Sequence, residues 1–310
     1  MRARLLAAFA AVYLVWGSTY LAIRFAVETL PPLLMAGARF VIAGVIVLAW
    51  ARFREGSPAP SKIDWRTGVI SGGLLLLGGN GAVVWAEQKV PSGIAALLVA
   101  IVPLWMVLID WLRPGGRRPA VAVFAGVALG LVGLLVLVGP DSLRSSGPSN
   151  AVGAVVLVLA SLSWAAGSLF TKWSPKATTG TIGAGTQMLA GGALLLIAGL
   201  ISGELPRLDV AHASTRSLVS FAYLVTFGSL IGFTAYVYLL AHTTAAKAST
   251  YAYVNPVVAV LLGWAIGHEV VTTRTLLAAG VILAGVAIIT VTRDTSSGSH
   301  DEAIEPARAR

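Results

Sequence analysis

The chain contains no cysteine and few charged residues. Without cysteine, the protein has no disulfide bond, no thiolate nucleophile and no cysteine-ligated metal. Only 11% of the residues are charged, whereas a soluble domain has about 25%. So few charges cannot cover the surface of a globular domain in water. Because 57% of the residues are hydrophobic, most of the surface must face lipid or other apolar helices, and the sequence predicts an integral membrane protein.

Acidic residues are scarcer than basic ones, and the net charge is +9. The cations lie in short clusters between apolar segments rather than along one face. That pattern sets membrane orientation and does not indicate nucleic-acid binding. The predicted partner is therefore the lipid bilayer. Arg2 and Arg4 precede an apolar run that reaches Phe25, which is too long for a signal peptide, so we expect a retained first helix.

The apolar segments predict the fold class. A bilayer core of about 30 Å needs roughly 20 residues of helix. Ten segments meet this requirement: Leu5–Phe25, Leu33–Ala51, Thr67–Ala86, Ser92–Leu112, Val121–Val138, Ala151–Thr171, Ile182–Ile201, Leu218–Ala241, Ala248–Ile266 and Arg274–Val291. None alternates as a barrel strand would. We therefore predict an all-α integral membrane protein with ten transmembrane helices. Most loop cations fall on the side of the N-terminus, which predicts a plasma-membrane protein with both termini in the cytoplasm.

Two stretches of the sequence are alike. Trp16 is followed by small and hydroxylated residues and then by Arg24, and Trp164 is followed in the same way by Lys172. This predicts a first repeat at residues 1–139, a linker at 140–150, a second repeat at 151–292 and a disordered cytoplasmic tail at 293–310. Five helices is an odd number, so the two halves must be inverted in the membrane. Inverted repeats are typical of transporters, which bind substrate between the repeats.

Several motifs carry a family resemblance. They are Trp16-Gly17-Ser18, the run Pro91–Leu97 followed by Pro103, the run Tyr251–Gly263 through Asn255-Pro256, and Gly267-His268-Glu269. The chain thereby resembles the drug/metabolite transporter superfamily and, within it, the ten-helix EamA exporters. The resemblance implies a secondary transporter, without a cofactor, that exports small metabolites, amino acids or drug-like molecules. One departure is that Glu269 has Gly116 as its counterpart in the first half, so we assign that acid no transport role.

Ionisable residues inside the membrane are expensive and mark functional sites. Four are candidates for gating or coupling: Arg39, Glu87, Asp110 and His242. The last three lie near span ends, where they either extend to the interface or carry protons. Arg39 lies deeper, and it either pairs with an acid such as Glu28 or Glu87 or acts at an outer gate.

Uncharged polar and aromatic residues are the candidates for the substrate pathway. An amide or indole N–H needs a hydrogen-bond partner in hydrocarbon, supplied either by a neighbouring helix or by a cavity. The candidates are Trp16, Asn80, Trp105, Trp164, Gln187, Tyr236, Tyr251 and Asn255. Pro103 and Pro256 each remove a backbone N–H and free a carbonyl one turn earlier, which permits substrate binding or bending. Such a pathway suits amphipathic, zwitterionic or aromatic solutes, with cations held on aromatic faces.

Two other classes of function compete with transport. A membrane enzyme needs a nucleophile, an acid/base pair or a metal cluster, but the four histidines have no paired spacing and no hydrolase or ATPase motif occurs. We therefore expect neither an enzyme nor a metal site. A passive channel for small solutes stays open as an alternative, as does the choice between a monomer and a homodimer. With so few titratable groups, we expect transport that is downhill or weakly coupled.

Overall fold

The structure is a computed structural model, and it describes residues 2–86, 88, 95, 98–116, 118–144, 148–175, 177–267 and 272–292. Regular structure in these ranges is helical, and no strand occurs in them. The main helices are α1 Arg2–Ala26, α2 Pro32–Phe53, α3 Lys62–Ala86, α4 Val102–Leu112, α5 Val121–Arg144, α6 Pro148–Trp173, α7 Gly180–Ile201, α8 Thr215–His242, α9 Tyr251–Gly267 and α10 Thr273–Val291. This confirms the predicted all-α class.

Seven of the described helices are long and apolar enough to cross a membrane, namely α1, α2, α3, α6, α7, α8 and α10. Within the described ranges, α4 and residues Val121–Leu137 of α5 are apolar but shorter. Many of the large apolar side chains on these helices are exposed, for example Leu6, Phe53 and Ile201. Exposure of this kind fits a protein whose surrounding solvent is lipid.

Three boundaries differ from those expected from the sequence. The predicted span Ser92–Leu112 is not one continuous helix, because Ala100 and Ile101 form a turn before α4 begins. Pro103 therefore lies in the first turn of α4, where its missing N–H costs nothing. The ninth predicted span is also broken: a short helix at Ala245–Ala248 precedes α9, whereas Pro256 lies inside α9 as expected. Helix α5 continues to Arg144 and α6 begins at Pro148, so the segment between the predicted repeats is largely helical.

Both α3 and α8 contain a π-helical stretch, which the sequence did not predict. These stretches are Gly73–Gly81 in α3 and Leu224–Phe233 in α8. A π-helix bonds each N–H to the carbonyl five residues earlier, and long runs of it are rare and frequently mark functional sites. The two stretches occupy matching places in the two predicted halves, since α3 and α8 are each the third helix of a half.

Helices α2 and α7 pack through a repeated set of glycines. A Cβ on Gly37 would lie 2.8 Å from the backbone nitrogen of Leu196, and one on Gly185 would lie 2.8 Å from Leu48. In the same way Gly44 faces Leu189 and Gly192 faces Val41. A shift of 148 positions relates the contacts in pairs: it converts Gly37–Leu196 into Gly185–Leu48. The same shift converts Gly44–Leu189 into Gly192–Val41. The interface is thus related to itself by an approximate two-fold operation.

Helices α5 and α10 pack in the same manner. A Cβ on Gly126 would lie 2.8 Å from the carbonyl oxygen of Gly285, and one on Gly133 would lie 3.2 Å from that of Ala278. A shift of 152 positions converts the Gly126–Gly285 contact into the Gly133–Ala278 contact. Only glycine permits backbones to approach this closely. Sequence and packing therefore carry the same internal repeat.

Contacts between helix ends define two opposite faces of the bundle. At one, which we call the Arg216 face, Ser217 at the start of α8 donates to the carbonyl of Phe25, 2.7 Å away, and Arg216 pairs with Glu28. At the other, the Lys172 face, the Lys172 ammonium donates to the carbonyl of Leu240 near the end of α8, at 3.0 Å. Helix α1 thus ends where α8 starts, and α6 ends where α8 ends. Helices α1 and α6 therefore run in opposite directions.

Candidate functional site

A cavity of about 100 Å³ lies among the helices of both halves. The lining comes from α1, α2, α3, α4, α6, α8 and α9 together with Val99. It consists of Trp16, Thr19, Ile23, Arg39, Phe40, Gly79, Asn80, Val83, Val99, Val102, Ala160, Ser161, Trp164, Gly228, Phe233, Tyr251 and Asn255. In α1 and α3 these residues belong to the half of the helix that leads to the Arg216 face. The cavity therefore lies between the middle of the bundle and that face.

Four aromatic rings pack together at the inner end of the cavity, and we call them the aromatic cluster: Trp16, Trp164, Tyr236 and Tyr251. Three of them line the cavity, all except Tyr236. The centroids of the Trp16 and Trp164 rings are 5.6 Å apart, and the rings meet edge to face. Tyr236 packs 5.0 Å from Trp16 and 5.3 Å from Tyr251. Tyr236 is fully buried and lies outside the lining, so it supports the two tryptophans from behind.

Each indole N–H of the cluster has a partner in α8. Trp16 Nε1 donates to the carbonyl oxygen of Gly228 at 3.1 Å, and Trp164 Nε1 donates to the hydroxyl of Tyr236 at 3.2 Å. Gly228 belongs to the π-helical stretch of α8. The Tyr236 hydroxyl also bonds to Ser168 Oγ at 2.6 Å. These bonds hold both rings at fixed angles in an otherwise apolar wall.

Glycines make room for the two tryptophans. A Cβ on Gly79 would lie 2.8 Å from Cε3 of Trp164, and one on Gly232 would lie still closer to Nε1 of Trp16. Both glycines belong to π-helical stretches, one in α3 and the other in α8. The glycine content of these stretches thus has a packing reason. Each stretch presents bare backbone to the tryptophan of the opposite half.

Arg39 supplies the charge in the described lining. Its side chain is 4% exposed, and Nη2 donates to Oδ1 of Asn80 at 2.9 Å. The guanidinium carbon lies 4.4 Å from the centroid of the Phe40 ring. Glu28, one acid proposed as a partner for Arg39, is instead bound by Arg216. Glu87, the other acid, lies outside the described residues.

Asn255 contributes an unsatisfied acceptor to the same cavity. It is 2% exposed, and its Oδ1 has no hydrogen-bond partner in the described part of the chain. Tyr251 lies one turn earlier on α9, so the two residues share one face of that helix, and this face lines the cavity. Gly17 allows α1 to approach α9 closely, because a Cβ on Gly17 would lie 2.6 Å from Cβ of Val258.

Two other predicted pathway residues lie outside the lining. Trp105 donates from Nε1 to Ser161 Oγ at 3.1 Å, so it positions a lining residue. Gln187 is 2% exposed, and its backbone carbonyl faces Gly72 where α7 packs on α3. Pro103 and Pro256 also lie outside the lining.

Asp110 and His242 lie at the Lys172 face, away from the cavity. Asp110 pairs with Arg113 one turn later at 3.2 Å, and both side chains are more than a third exposed. His242 is exposed, stacks 4.0 Å from the Tyr238 ring and places Nδ1 2.8 Å from the Tyr238 carbonyl oxygen. These positions match side chains that extend to the interface.

Two buried acids near the helix ends were missed in the sequence. Glu204, 5% exposed, accepts hydrogen bonds from the backbone N–H groups of Leu33 and Leu34 at the start of α2. Asp64 accepts from Ser61 in a capping box and from Thr178 before α7. The Ser61–Asp64 spacing is visible as a capping signal. The Glu204 contact bridges distant segments and leaves no local signal.

Side-chain bonds close the bundle between the aromatic cluster and the Lys172 face. The hydroxyls of Tyr13 and Thr250 join α1 to the start of α9 at 2.6 Å. Thr171 donates to Ser71 Oγ at 2.9 Å and so joins α6 to α3. Lys172 also reaches the carbonyl of Thr243, just after α8. These bonds therefore separate the cavity from the Lys172 face.

The described residues contain no group of three or more histidine, aspartate or glutamate side chains placed to hold a metal. What the cavity offers is an aromatic surface, one guanidinium and several amide and hydroxyl groups. Groups of this kind are suited to hold a small solute. The model of the EamA-like transporter family matches residues 3–139 and 151–291. The chain belongs to the EamA-like transporter family. It is thus a membrane transporter and not an enzyme.

Relatives in this family extend over nearly the whole chain. The inner membrane transporter YedA of Escherichia coli K12 is 41% identical over 288 residues, covering 93% of this chain and 90% of YedA. The transporter YoaV of Bacillus subtilis is 27% identical over 283 residues, with 91% and 94% covered. A solved crystal structure has the same fold, with a TM-score of 0.75 at 22% identity, and covers 93% of this chain and 97% of its own.

Proposed function

We propose that this EamA-like transporter is a multi-pass inner-membrane secondary transporter that exports small metabolites, amino acids or drug-like amphipathic solutes. Its architecture is ten transmembrane helices in two inverted five-helix repeats, with both termini in the cytoplasm. Solute binds in the cavity, whose lining includes Trp16, Trp164, Tyr251, Arg39, Asn80 and Asn255. The cavity then opens alternately to either side of the membrane.

The symmetry of packing supports the inverted repeats. The α2–α7 and α5–α10 interfaces each repeat themselves with a fixed sequence separation. Helix α1 packs against α8 and α9, and its counterpart α6 packs against α3 and α4. Because α1 and α6 run in opposite directions, the operation that relates the halves inverts them. This arrangement suits transporters that move one repeat against the other.

One observation carries the proposal: the cavity lies between the halves, and named side-chain bonds separate it from the Lys172 face. The Tyr13–Thr250 bond joins α1 of the first half to the start of α9 in the second. The Lys172–Thr243 bond joins the ends of α6 and α8 within the second half. A few hydrogen bonds of this kind are individually weak, since each contributes about 1 kcal/mol. They are therefore suited to break and re-form during a transport cycle.

Two backbone features would allow the helices to bend. Pro256 leaves one carbonyl of α9 without its intrahelical partner, and the π-helical stretches of α3 and α8 break regular α-helical bonding. All of these features lie beside the cavity. We assign them to bending when the closed side opens.

Thiol accessibility tests alternating access, and the cysteine-free chain provides a clean background. Val83→Cys places a thiol in the cavity, whereas Ser249→Cys places one in the fully buried layer on the closed side. We expect a membrane-impermeant maleimide to label Val83→Cys from the external side and Ser249→Cys from the cytoplasmic side only. Ala278→Cys, buried between α5 and α10, is the unlabelled control. Labelling of Ser249→Cys from both sides at once would indicate a passive channel instead.

Downhill or weakly coupled transport is part of the proposal. The described lining contains no carboxylate and no histidine. A pH gradient across liposomes should therefore change the extent of accumulation only slightly. Strong gradient-driven accumulation that disappears in Glu87→Gln would contradict this part and would assign proton coupling to Glu87.

A further inference from the structure

Each cavity residue of one half has a counterpart in the other half. In α1, α2, α6 and α7 the counterpart lies 148 positions away, as in the packing of α2 on α7. In α3, α4, α8 and α9 it lies 153 positions away, which relates Pro103 to Pro256. The same separation relates Ser61 to Ser214, and each of these serines caps the first turn of its helix. The lining can therefore be compared between the halves residue by residue.

The lining residues fall into two groups. In the first group both members of a counterpart pair line the cavity, and the pairs are Trp16 with Trp164, Asn80 with Phe233 and Val102 with Asn255. These six residues form a wall that is common to the two halves. In the second group only one member of each pair lines the cavity. The other member is then packed elsewhere in the bundle.

Six of these packed counterparts lie in the half of their helix that leads to the Lys172 face: Val12, Tyr13, Leu75, Thr171, Met188 and Tyr236. Four of the six, all except Tyr13 and Thr171, are fully buried and belong to one contiguous cluster of apolar side chains. Tyr13 packs against the same cluster. The counterparts of the cavity lining thus lie together, on the other side of the two tryptophans.

This region is more polar than its packing requires. Thr171 and Tyr236 stand where the cavity has Ile23 and Val83, so hydroxyl-bearing side chains replace aliphatic ones. The hydroxyls of Tyr13, Thr171 and Tyr236 each bond to a hydroxyl from a different segment. Burying a hydroxyl costs free energy that an aliphatic side chain avoids. A hydroxyl can also donate or accept, so it can exchange its present partner for a solute or water.

We infer, on the basis of the proposed alternating access, that these six residues line the solute pathway when the bundle opens to the Lys172 face. In an inverted repeat, opening to the second face gives each half the present arrangement of the other. The counterparts of the present lining then face the solute. Trp16 and Trp164 line the cavity in both arrangements and stay in contact with the solute throughout.

The two sides of the pathway differ in chemistry. The counterpart of Arg39 is Gln187, which carries no charge. Among the counterparts of the described lining, the side towards the Lys172 face therefore offers hydroxyl groups and no guanidinium. Hydroxyls bind charged and neutral polar groups alike. Discrimination by charge is thus confined to the side of the pathway that leads to the Arg216 face.

Two neighbouring leucines provide a matched test in the full-length, cysteine-free chain. Leu75 and Leu76 are both fully buried in the π-helical stretch of α3. The counterpart of Leu75 is Gly228, which lines the cavity, whereas that of Leu76 is Ser229, which does not. Leu75→Cys and Leu76→Cys remove the same atoms, so only their positions relative to the pathway differ.

A second pair lies one turn apart on α7. Met188 and Ala184 are both fully buried. The counterpart of Met188 is Phe40 in the lining, whereas the counterpart of Ala184 is Ala36, outside it. Met188→Cys therefore reports the inferred pathway on a second helix, and Ala184→Cys is its control.

Labelling is measured in inside-out membrane vesicles with a membrane-impermeant maleimide. We expect Leu75→Cys and Met188→Cys to react about tenfold or more faster than Leu76→Cys and Ala184→Cys, because their sites become accessible in each transport cycle. Equal rates within the leucine pair, whether fast or slow, would overturn the inference. A variant that fails to fold exposes its thiol in either position and so cannot imitate the expected difference.

Ser249→Cys separates the two levels of the account. If it is labelled from the cytoplasmic side while Leu75→Cys and Met188→Cys are not, the Lys172 side opens but the six residues do not line it. That result would overturn the inference and leave alternating access intact. If Ser249→Cys is also unlabelled, alternating access itself fails, and the inferred pathway fails with it.

Discussion

The two halves of the molecule pack their helices into the same frame, but the hydrogen bonds and polar side chains within that frame differ. In one, Trp16 of α1 packs against the π-helical stretch of α8 beside Gly232, and in the other Trp164 of α6 packs against the stretch of α3 beside Gly79. Yet Trp16 donates to a backbone carbonyl, whereas Trp164 donates to the side chain of Tyr236. The frame is symmetric, but the bonds that fix the cavity wall are not.

The polar groups differ even more. Arg39 of the first half lies in the cavity, and the residue 148 positions later is Gln187, which is buried away from the lining. Packing must be alike in both halves, because each interface joins a helix to its own counterpart. A single asymmetric solute imposes no such condition on the lining. Helix packing is therefore symmetric in this molecule, whereas the polar groups around the cavity are asymmetric.

The largest effect is expected where the symmetric frame is overfilled. Gly44→Val and its counterpart Gly192→Val both push a side chain into backbone less than 3.0 Å from the new Cβ. Because neither backbone can yield, each change should cost about 3 kcal/mol or more of unfolding free energy. The two variants should therefore lower the thermal midpoint of the detergent-solubilised protein by the same number of degrees as each other. Gly280→Val is the control, since nothing lies within 4 Å of a Cβ there. Very different losses at Gly44 and Gly192 would break the symmetry argument.

The next effect concerns the asymmetric pair Arg39 and Gln187. Arg39→Gln should reduce uptake of a transported solute into proteoliposomes about tenfold, since it removes the buried charge that donates to Asn80 in the cavity lining. Gln187→Met replaces a buried amide whose Oε1 has no partner among the described residues, so uptake and stability should change little. Equal losses of uptake in the two variants would show that the cavity does not distinguish the halves.

A smaller effect is expected at Tyr236. Tyr236→Phe removes the hydroxyl that accepts from Trp164 and bonds to Ser168, so the Trp164 indole N–H loses this partner while Ser168 keeps its bond to the Trp164 carbonyl. This should cost about 1–3 kcal/mol of unfolding free energy and redshift the fluorescence of a variant that retains only Trp164 of the cluster. The corresponding variant that retains only Trp16 should be unaffected, because its partner is the backbone. A redshift in both variants would contradict the assigned bonds.

The smallest effects belong to the Lys172 face. Asp110→Asn removes an exposed ion pair with Arg113, which should contribute about 0–1 kcal/mol. His242→Gln should leave the pH dependence of uptake unchanged. If either variant lost the pH dependence of uptake, the replaced residue would be assigned to proton coupling instead.

The helices could be predicted from the sequence because apolar length is a local signal, whereas the close packing of glycines between α2 and α7 depends on which helices meet. The placement of Trp16, Trp164 and Asn255 around one cavity followed from the repeat. The π-helical stretches could not be predicted, since their apolar, glycine-containing sequences are equally compatible with α-helix and their tryptophan contacts come from the opposite half. The break before α4 was missed because Pro103 is equally compatible with a kink and with a helix start. Glu204 was missed because its partners at Leu33 and Leu34 are far away in sequence.

The most direct test of the central claim uses a protein with both Val83→Cys and Ser249→Cys. The cavity thiol is first blocked with a bulky impermeant reagent from the external side, and labelling of the second thiol is then measured from the cytoplasmic side. If the cavity opens to one face at a time, the bulky group should hold the cytoplasmic side closed and strongly suppress labelling of Ser249→Cys. Unchanged labelling after the block would contradict alternating access.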